Sequence, residues 1–484
     1  MNESAVKKIG LFGLIGMVVS SCIGSGVFAL TGQLAEVASP GGVLVAWGVV
    51  GVGFLMLALA LNYLGKTKPE LVGIFQYAEE GFGAIWGFIS GWGYWLSAWL
   101  GNVAFATVMM TTVGFFYPEF ATEVPTPLAI VIASVVMWAL SFLIIRGVEG
   151  ASVINAIVMV CKVAVLVIFL AFAVVLFDMG VFTADFWGNV YNNLVASAPA
   201  ATGSEEELVA LGGIPNQVVN CIIIMMWAFI GIEGATVMSS RARRQSDVGK
   251  ATVIGIICLL VIYLGATVLP YGFLPYTEIA AMDSPAMVYI FDQMAPGWGG
   301  AFISIGIIVA IAGAWLSFII LPVETTSEMA ARQLLPAGWG KLNKKGAPSF
   351  SLLITAICTQ AFMASLIFTS DAYDFAFSMC TVAIVITWTL AALYQLKVAK
   401  DNKAGAWMLI GVIAVLFQLS GVMFNGWSFL LLTCVGYIPG FILYAMARKK
   451  AGFTLSKSDI VTMTIISALG VLAIALLATG VIAI

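Results

Sequence analysis

The chain contains no histidine, and charged residues make up only 9% of its 484 residues. Without histidine it lacks the commonest metal ligand and the usual proton relay, so histidine-based catalytic triads and metal centres are excluded. Its seven cysteines all fall inside apolar segments, without the spacing of a metal site. We expect no disulfide framework, no metal and no cofactor. We also expect no nucleic-acid partner and no enzymatic activity.

In place of charge the chain has apolar sequence: 62% of its residues are hydrophobic, and its mean hydropathy is +1.07. Long apolar stretches indicate a polytopic membrane protein surrounded by lipids. The first apolar run carries no signal-peptide cleavage pattern, so we expect it to stay as a helix. The pattern predicts an all-α protein with thirteen spans, at about 9–31, 41–63, 82–116, 127–145, 151–177, 217–240, 251–273, 298–322, 350–368, 374–396, 405–423, 427–446 and 460–483.

Lysine and arginine are confined to alternate loops between these spans. All but one of the 21 basic residues precede span 1 or follow an even-numbered span, and the opposite loops carry acidic residues. Cytoplasmic loops of membrane proteins are enriched in lysine and arginine. The pattern therefore predicts a protein of the bacterial inner-membrane type, with its N-terminus in the cytoplasm and its C-terminus outside.

Span 1 is interrupted by small residues. Gly24 and Gly26 flank Ser25 inside an apolar run where a plain membrane helix would carry leucine or valine. Glycine weakens a helix by about 1 kcal/mol relative to alanine, and free backbone groups at membrane depth must line a cavity or meet a partner. One interpretation is a break whose N–H groups bind an anion such as a carboxylate. The other is close helix packing through small residues.

The remaining basic residue, Lys162, lies in the middle of span 5. A charge at this depth costs about 2.5–3.5 kcal/mol on insertion scales, so it needs a partner or water. We interpret Lys162 as a candidate coupling residue. The alternative is an amine that reaches a membrane interface, although about ten residues separate it from either end of the span.

Span 6 repeats the irregularity of span 1, because Gly231 and Gly234 bracket Glu233. Two glycine-interrupted segments at corresponding positions of two halves indicate a transporter site at the membrane midplane. Glu233 is a candidate proton acceptor. Alternatively, it is a structural partner for Lys162 or for freed N–H groups.

Segments 24–28 (GSGVF) and 227–235 (WAFIGIEGA) resemble the amino acid–polyamine–organocation superfamily. Further stretches resemble the arginine/ornithine branch of its basic amino acid/polyamine antiporter family, and these are 68–71 (KPEL), 93–102 (GYWLSAWLGN), 182–185 (FTAD) and 246–252 (SDVGKAT). The resemblance covers about residues 8–400. It implies a transporter core at 1–400, built as a five-plus-five inverted repeat (about 9–177 and 217–396) with helices 1 and 6 broken. Residues 401–484 would form accessory helices 11–13, with a homodimer face on helices 11 and 12.

The resemblance also implies a site for a small-molecule amino acid. The substrate carboxylate would meet the N–H groups of Ser25 and Gly26. Its α-ammonium would meet carbonyl groups that the unwound turns leave free, and these belong to Cys22, Trp227 and Ile230. Trp227 would also cover the substrate as a gate.

The side-chain pocket would lie between spans 3 and 10. Tyr94, Ala98 and Asn102 fall at i, i+4 and i+8 and therefore share one helix face. The predicted substrate-binding residues are Cys22, Ile23, Gly24, Ser25, Gly26, Tyr94, Ser97, Ala98, Asn102, Trp227, Ile230, Phe318 and Cys380. The predicted coupling or gating residues are Glu233, Lys162 and Trp227.

The chain departs from its relatives on span 8. Related antiporters carry a tryptophan there that stacks on a guanidinium, whereas this chain has Phe318, with Trp315 one turn earlier. A phenyl ring is a poorer platform for a cation than an indole. Lys162 matches a lysine of sodium-independent relatives, which predicts transport without sodium.

These features predict a sodium-independent antiporter that exchanges a cationic amino acid such as arginine for ornithine by alternating access. Two alternatives remain, a proton-coupled amino acid permease and an antiporter of another amino acid with its amine product. A channel would need a filter or rings of polar groups, and neither is evident. A phosphate loop at 65–67 (GKT) would need glycine where Ala60 stands, so ATP-driven pumping is unsupported.

Overall fold

Almost all regular structure in the computed structural model of the chain is helical, over the described residues 9–122, 125–197, 210–239, 242–367, 371–424 and 426–482. In the first half the helices are α1 (Leu11–Cys22), α2 (Gly26–Val37), α3 (Pro40–Thr67), α4 (Ile74–Phe82), α5 (Ala84–Val113), α6 (Pro127–Ile145), α7 (Val148–Val175), α8 (Met179–Thr183) and α9 (Asn189–Ser197). In the second half they are α10 (Ile214–Ala228), α11 (Gly234–Val237), α12 (Gln245–Val268), α13 (Tyr276–Ala280), α14 (Ala286–Met294), α15 (Gly299–Ala331), α16 (Ser349–Ser365), α17 (Asp371–Asp401), α18 (Gly405–Phe424), α19 (Trp427–Lys450) and α20 (Lys457–Ala478).

Each of the thirteen predicted spans corresponds to helix. Within the described residues, ten helices are long and apolar enough to cross a membrane. An eleventh crossing is formed by α1 and α2, which bend by 45° at their break. The other two spans are the shorter apolar helices α16 and α10, and α10 continues through a turn into α11. The prediction of an all-α polytopic membrane protein is confirmed.

Polar side chains cap the starts of two spans. Ser39 caps α3 by accepting the Gly42 N–H at 3.5 Å, and Thr126 caps α6 by accepting the Ala129 N–H at 3.2 Å. In both helices proline follows the cap, at a position where its missing N–H removes no helical hydrogen bond. The helix starts are therefore encoded locally, before any tertiary packing.

Burial separates an inner set of helices from the periphery. In the most apolar stretch of each helix, 78% of the residues are buried in α5, 78% in α15 and 83% in α17. In α20 the buried share is 11%. Helix α5 packs against both α15 and α17, and α15 packs against α7. The inner helices can therefore present side chains to a central site, whereas α20 faces outward, as expected for an accessory helix.

Candidate functional site

The two interrupted spans lie against each other at their breaks. Gly231 has φ +113°, and a Cβ atom there would lie 2.7 Å from the Cβ of Ser21. The Cys22 thiol donates to the Phe229 carbonyl at 3.7 Å. On the other side of the first break, a Cβ on Gly26 would lie 3.3 Å from the Ala228 Cα. Span 1 is therefore broken, as the first interpretation predicted. Its glycines also allow close helix packing, as the second interpretation predicted.

A tyrosine on α12 joins the two breaks. The Tyr263 hydroxyl donates toward the Cys22 carbonyl at 2.7 Å and lies 3.1 Å from the Ala228 carbonyl. Its side chain is fully buried. Tyr263 was not among the predicted site residues. Its position inside an apolar span was the one sign of a structural role, because a buried tyrosine hydroxyl needs a hydrogen-bond partner.

Lys162 on α7 is fully buried, and its amine donates to the carbonyls of Ser20 and Ile23, the latter at 2.8 Å. These carbonyls belong to the end of α1, where the helix dipole is negative, so the ammonium satisfies both groups and opposes that partial charge. An amine reaching a membrane interface is therefore the wrong interpretation. The lysine connects α7 to the broken helix, and its role in coupling stays a prediction.

Glu233 precedes α11 and is also fully buried. The indole N–H of Trp388 on α17 donates to its Oε2 at 3.1 Å, and the Tyr94 phenol lies close by. Across the described ranges no salt bridge joins Glu233 to Lys162 within 4.0 Å, so the alternative that these two residues pair is wrong. Oε1 has no hydrogen-bond partner among the described residues.

The backbone groups of the breaks correct one expectation. The Cys22 carbonyl accepts from Gly24 N–H at 2.8 Å as well as from the tyrosine, and the Trp227 carbonyl accepts from Ile230 N–H at 3.1 Å. The expectation that both are free is wrong, because the unwound segments close into tight turns. In the described part of the chain, the Ile230 carbonyl receives no hydrogen bond, and the N–H groups of Ser25 and Gly26 donate none.

The predicted side-chain pocket is assembled between α5 and α17. The Ser97 hydroxyl lies 3.2 Å from the Cys380 thiol, which places spans 3 and 10 face to face as expected. Tyr94, Ala98 and Asn102 are all buried along α5. Within the described ranges, the Asn102 Oδ1 has no hydrogen-bond partner, and neither does the Ser25 hydroxyl. These buried polar atoms can satisfy a ligand, because leaving them unpaired is unfavourable.

Aromatic rings cover this region. The Trp227 indole extends from Gly26 to Gly101, because a Cβ on either glycine would lie within 3.4 Å of it. Its ring centroid is 5.2 Å from that of Phe377 on α17. Phe318 packs against Gly101, and its centroid lies 4.9 Å from that of Phe105 in an edge-to-face arrangement.

All of the predicted substrate-binding residues are buried in the structure. Trp315, one turn before Phe318, is buried as well, and its indole N–H has no partner in the described part of the chain. The substrate-binding assignments themselves stay predictions.

A family profile described as "Amino acid permease" matches residues 9–466. The chain belongs to this family. The superfamily predicted from segments 24–28 and 227–235 is thereby confirmed.

Curated relatives match the permease over almost its whole length. An arginine/ornithine antiporter of Latilactobacillus sakei is 48% identical over 487 aligned residues, which cover 99% of both chains. An arginine/ornithine antiporter of Pseudomonas aeruginosa is 37% identical over 467 residues, covering 93% of both. An arginine/agmatine antiporter of Chlamydia pneumoniae is 33% identical over 486 residues, covering 98% of both.

Proposed function

We propose that the chain is an antiporter that exchanges arginine for ornithine by alternating access. The observation that carries this proposal is the juxtaposition of two broken helices around backbone groups without hydrogen bonds. Relatives at 37–48% identity are named arginine/ornithine antiporters, which supports the choice of substrates.

The proposed binding mode uses these backbone groups. The substrate carboxylate meets the N–H groups of Ser25 and Gly26 at the start of α2, where the helix dipole is positive. The α-ammonium meets the Ile230 carbonyl, which is free of hydrogen bonds within the described residues. The Trp227 carbonyl accepts one hydrogen bond and keeps a second lone pair for the ammonium, whereas the Cys22 carbonyl already accepts from both Gly24 and Tyr263.

The cationic side chain extends toward α5. It lies between the face that bears Tyr94, Ala98 and Asn102 and the rings of Trp227 and Phe318. The Asn102 oxygen is a suitable acceptor for a guanidinium or an ammonium, because it is buried and has no partner in the described structure. The aromatic faces add attraction of about 0.5–2 kcal/mol for a desolvated cation.

Sodium independence follows from Lys162 under this proposal. Its ammonium already satisfies the Ser20 and Ile23 carbonyls at the end of α1, so a fixed positive charge stands where a bound cation would otherwise be needed.

Exchange also requires that a ligand stabilise the closed state relative to the empty one. The exchange of two monocations is electroneutral.

The proposal extends to topology and assembly. The confinement of basic residues to alternate loops supports a cytoplasmic N-terminus in a bacterial inner membrane. We place the two inverted repeats at about 9–177 and 217–396. Helices α18 and α19 form the homodimer face, because they expose apolar side chains such as Leu416, Met423 and Trp427.

Two other transport modes compete with this proposal. A proton-coupled permease would use Glu233 or Lys162 as the proton carrier, and both are buried at the centre of the molecule. An antiporter of arginine with its amine product is favoured by the relative named an arginine/agmatine antiporter. Phe318 does not add to this alternative, because agmatine keeps the guanidinium of arginine and a phenyl ring is a weaker guanidinium platform than an indole.

Counterflow in proteoliposomes distinguishes these modes. Vesicles are loaded with unlabelled arginine, ornithine, lysine, agmatine or no amino acid, and labelled arginine is added outside without sodium or a pH gradient. We expect rapid uptake into vesicles loaded with arginine or ornithine and little uptake into empty ones. Equal uptake into empty vesicles under an acid-outside gradient would establish a proton-coupled permease. Preference for internal agmatine over ornithine would change the substrate pair.

A further inference from the structure

An apolar groove runs along the outside of the molecule between α19 and α20. It has a volume of about 460 Å³, and Ile438, Ile442 and Met446 of α19 line it, facing Met463 of α20. Ile442 and Met446 are 61% and 58% exposed, so the groove opens toward the lipid. The groove ends at Lys449.

The length of the groove matches one leaflet of a membrane. From Ile438 to Lys449 it follows α19 for about 16 Å at 1.5 Å per residue. The hydrocarbon core of a bilayer is about 30 Å thick, so the groove spans about half of it. An apolar chain that fills the groove would therefore have its polar end beside Lys449.

Exposed positive charge lies at the end of α19, where the groove ends, and at the start of α20. Lys449, Lys450 and Lys457 are exposed, and no carboxylate of the described residues lies within 4.0 Å of any of them. The nearby acidic residue Asp459 accepts the Ser456 N–H at 2.9 Å as part of the cap of α20. Arg448 stacks over the Phe453 ring at 3.9 Å and leaves the three lysines as the available cations.

We propose that the groove between α19 and α20 is a binding site for one anionic phospholipid. An acyl chain lies along Ile438, Ile442 and Met446, and the lipid phosphate contacts Lys449 together with Lys450 or Lys457. Basic pockets between membrane helices suit anionic headgroups, and each lysine near the surface adds attraction. A second copy of the chain fits less well, because a two-fold contact through this groove would bring two lysine clusters together.

Native mass spectrometry of the full-length protein in detergent tests the headgroup part of the proposal. Phosphatidylglycerol and phosphatidylcholine with identical acyl chains are added separately to the wild type and to the triple variant Lys449→Gln, Lys450→Gln, Lys457→Gln. We expect phosphatidylglycerol to bind the wild type at least tenfold more tightly than the triple variant, with little change for phosphatidylcholine. The matched control is Lys341→Gln, Lys344→Gln, Lys345→Gln, which removes the same charge from another exposed loop.

The variant Ala445→Trp tests the groove, because Ala445 lines it and an indole would fill it while all three lysines remain. We expect this variant to lose phosphatidylglycerol binding as well, with unchanged arginine counterflow as evidence of folding. Equal phosphatidylglycerol binding by the wild type and the triple variant would overturn the proposal. The proposal would also be overturned if the control variant lost as much phosphatidylglycerol binding as the triple variant. Full binding by Ala445→Trp would refute the groove as the site. A lipid-free dimer that Ala445→Trp dissociates would assign the face to a second copy.

Discussion

The contact between the two breaks depends on Gly231, and its replacement by alanine should separate them. At φ +113° an alanine is strained by about 1–3 kcal/mol. Its Cβ would also lie 2.7 Å from the Cβ of Ser21, where ordinary contact begins near 3.4 Å. Overpacking of this kind costs about a further 1–3 kcal/mol. We therefore expect Gly231→Ala to destabilise the protein by about 2–6 kcal/mol and to reduce arginine counterflow strongly.

Gly83 provides the matched control. Its φ of +99° imposes comparable strain, but a Cβ there would have no heavy atom within 4 Å. Gly83→Ala should therefore lose only the strain contribution, about 1–3 kcal/mol, and should keep its counterflow. Thermal unfolding of both purified variants gives the stability difference, and counterflow gives the activity. If the two variants unfold alike, or if Gly231→Ala transports at the wild-type rate, the packed breaks are not the centre of the mechanism.

Three further predictions concern other contacts in the structure and in the proposed site. Lys162→Met removes both hydrogen bonds to α1, including the bond to the buried Ile23 carbonyl at a cost of about 1–3 kcal/mol, and should lower the melting temperature and abolish exchange. Cys161→Met, on the exposed side, should do neither. Phe318→Leu should raise the KM for arginine about twofold to fivefold in counterflow, because a cation–π contact of about 0.5–1 kcal/mol is lost. The partly exposed pair of Arg332 and Glu79 should show a coupling energy below about 1 kcal/mol in a double-mutant cycle of unfolding, and 1 M salt should abolish it.

Local patterns predicted most of the fold. Hydropathy placed thirteen spans, and each corresponds to helix, because twenty apolar residues in a membrane have few alternatives to a helix. The glycines at 24 and 26 left two interpretations open, a break and close helix packing, and the structure shows both. Lys162 was identified as needing a partner from its position in the middle of an apolar span, and the structure supplies that partner at α1.

The partners themselves could not be predicted, because they depend on which helices meet. Nothing near Tyr263 in the sequence indicates that its hydroxyl reaches two carbonyls more than 30 positions away. Trp388 likewise lies 155 positions from Glu233, to which it donates. The free carbonyls expected at Cys22 and Trp227 were wrong for the same reason, because the closing bonds depend on the exact turn and on a residue from α12.

The partners of Lys162 and Glu233 together explain how the first break can attract an anion. A broken helix presents a negative end of α1 beside the positive start of α2, and the two partial charges would largely cancel for a ligand between them. Lys162 donates to the α1 carbonyls and opposes the negative end, whereas the start of α2 has no protein anion bonded to its first N–H groups in the described structure. The carboxylate of Glu233 accepts from the Trp388 indole N–H. Under the proposed binding mode, these contacts favour a substrate carboxylate at the start of α2 without a bound sodium ion.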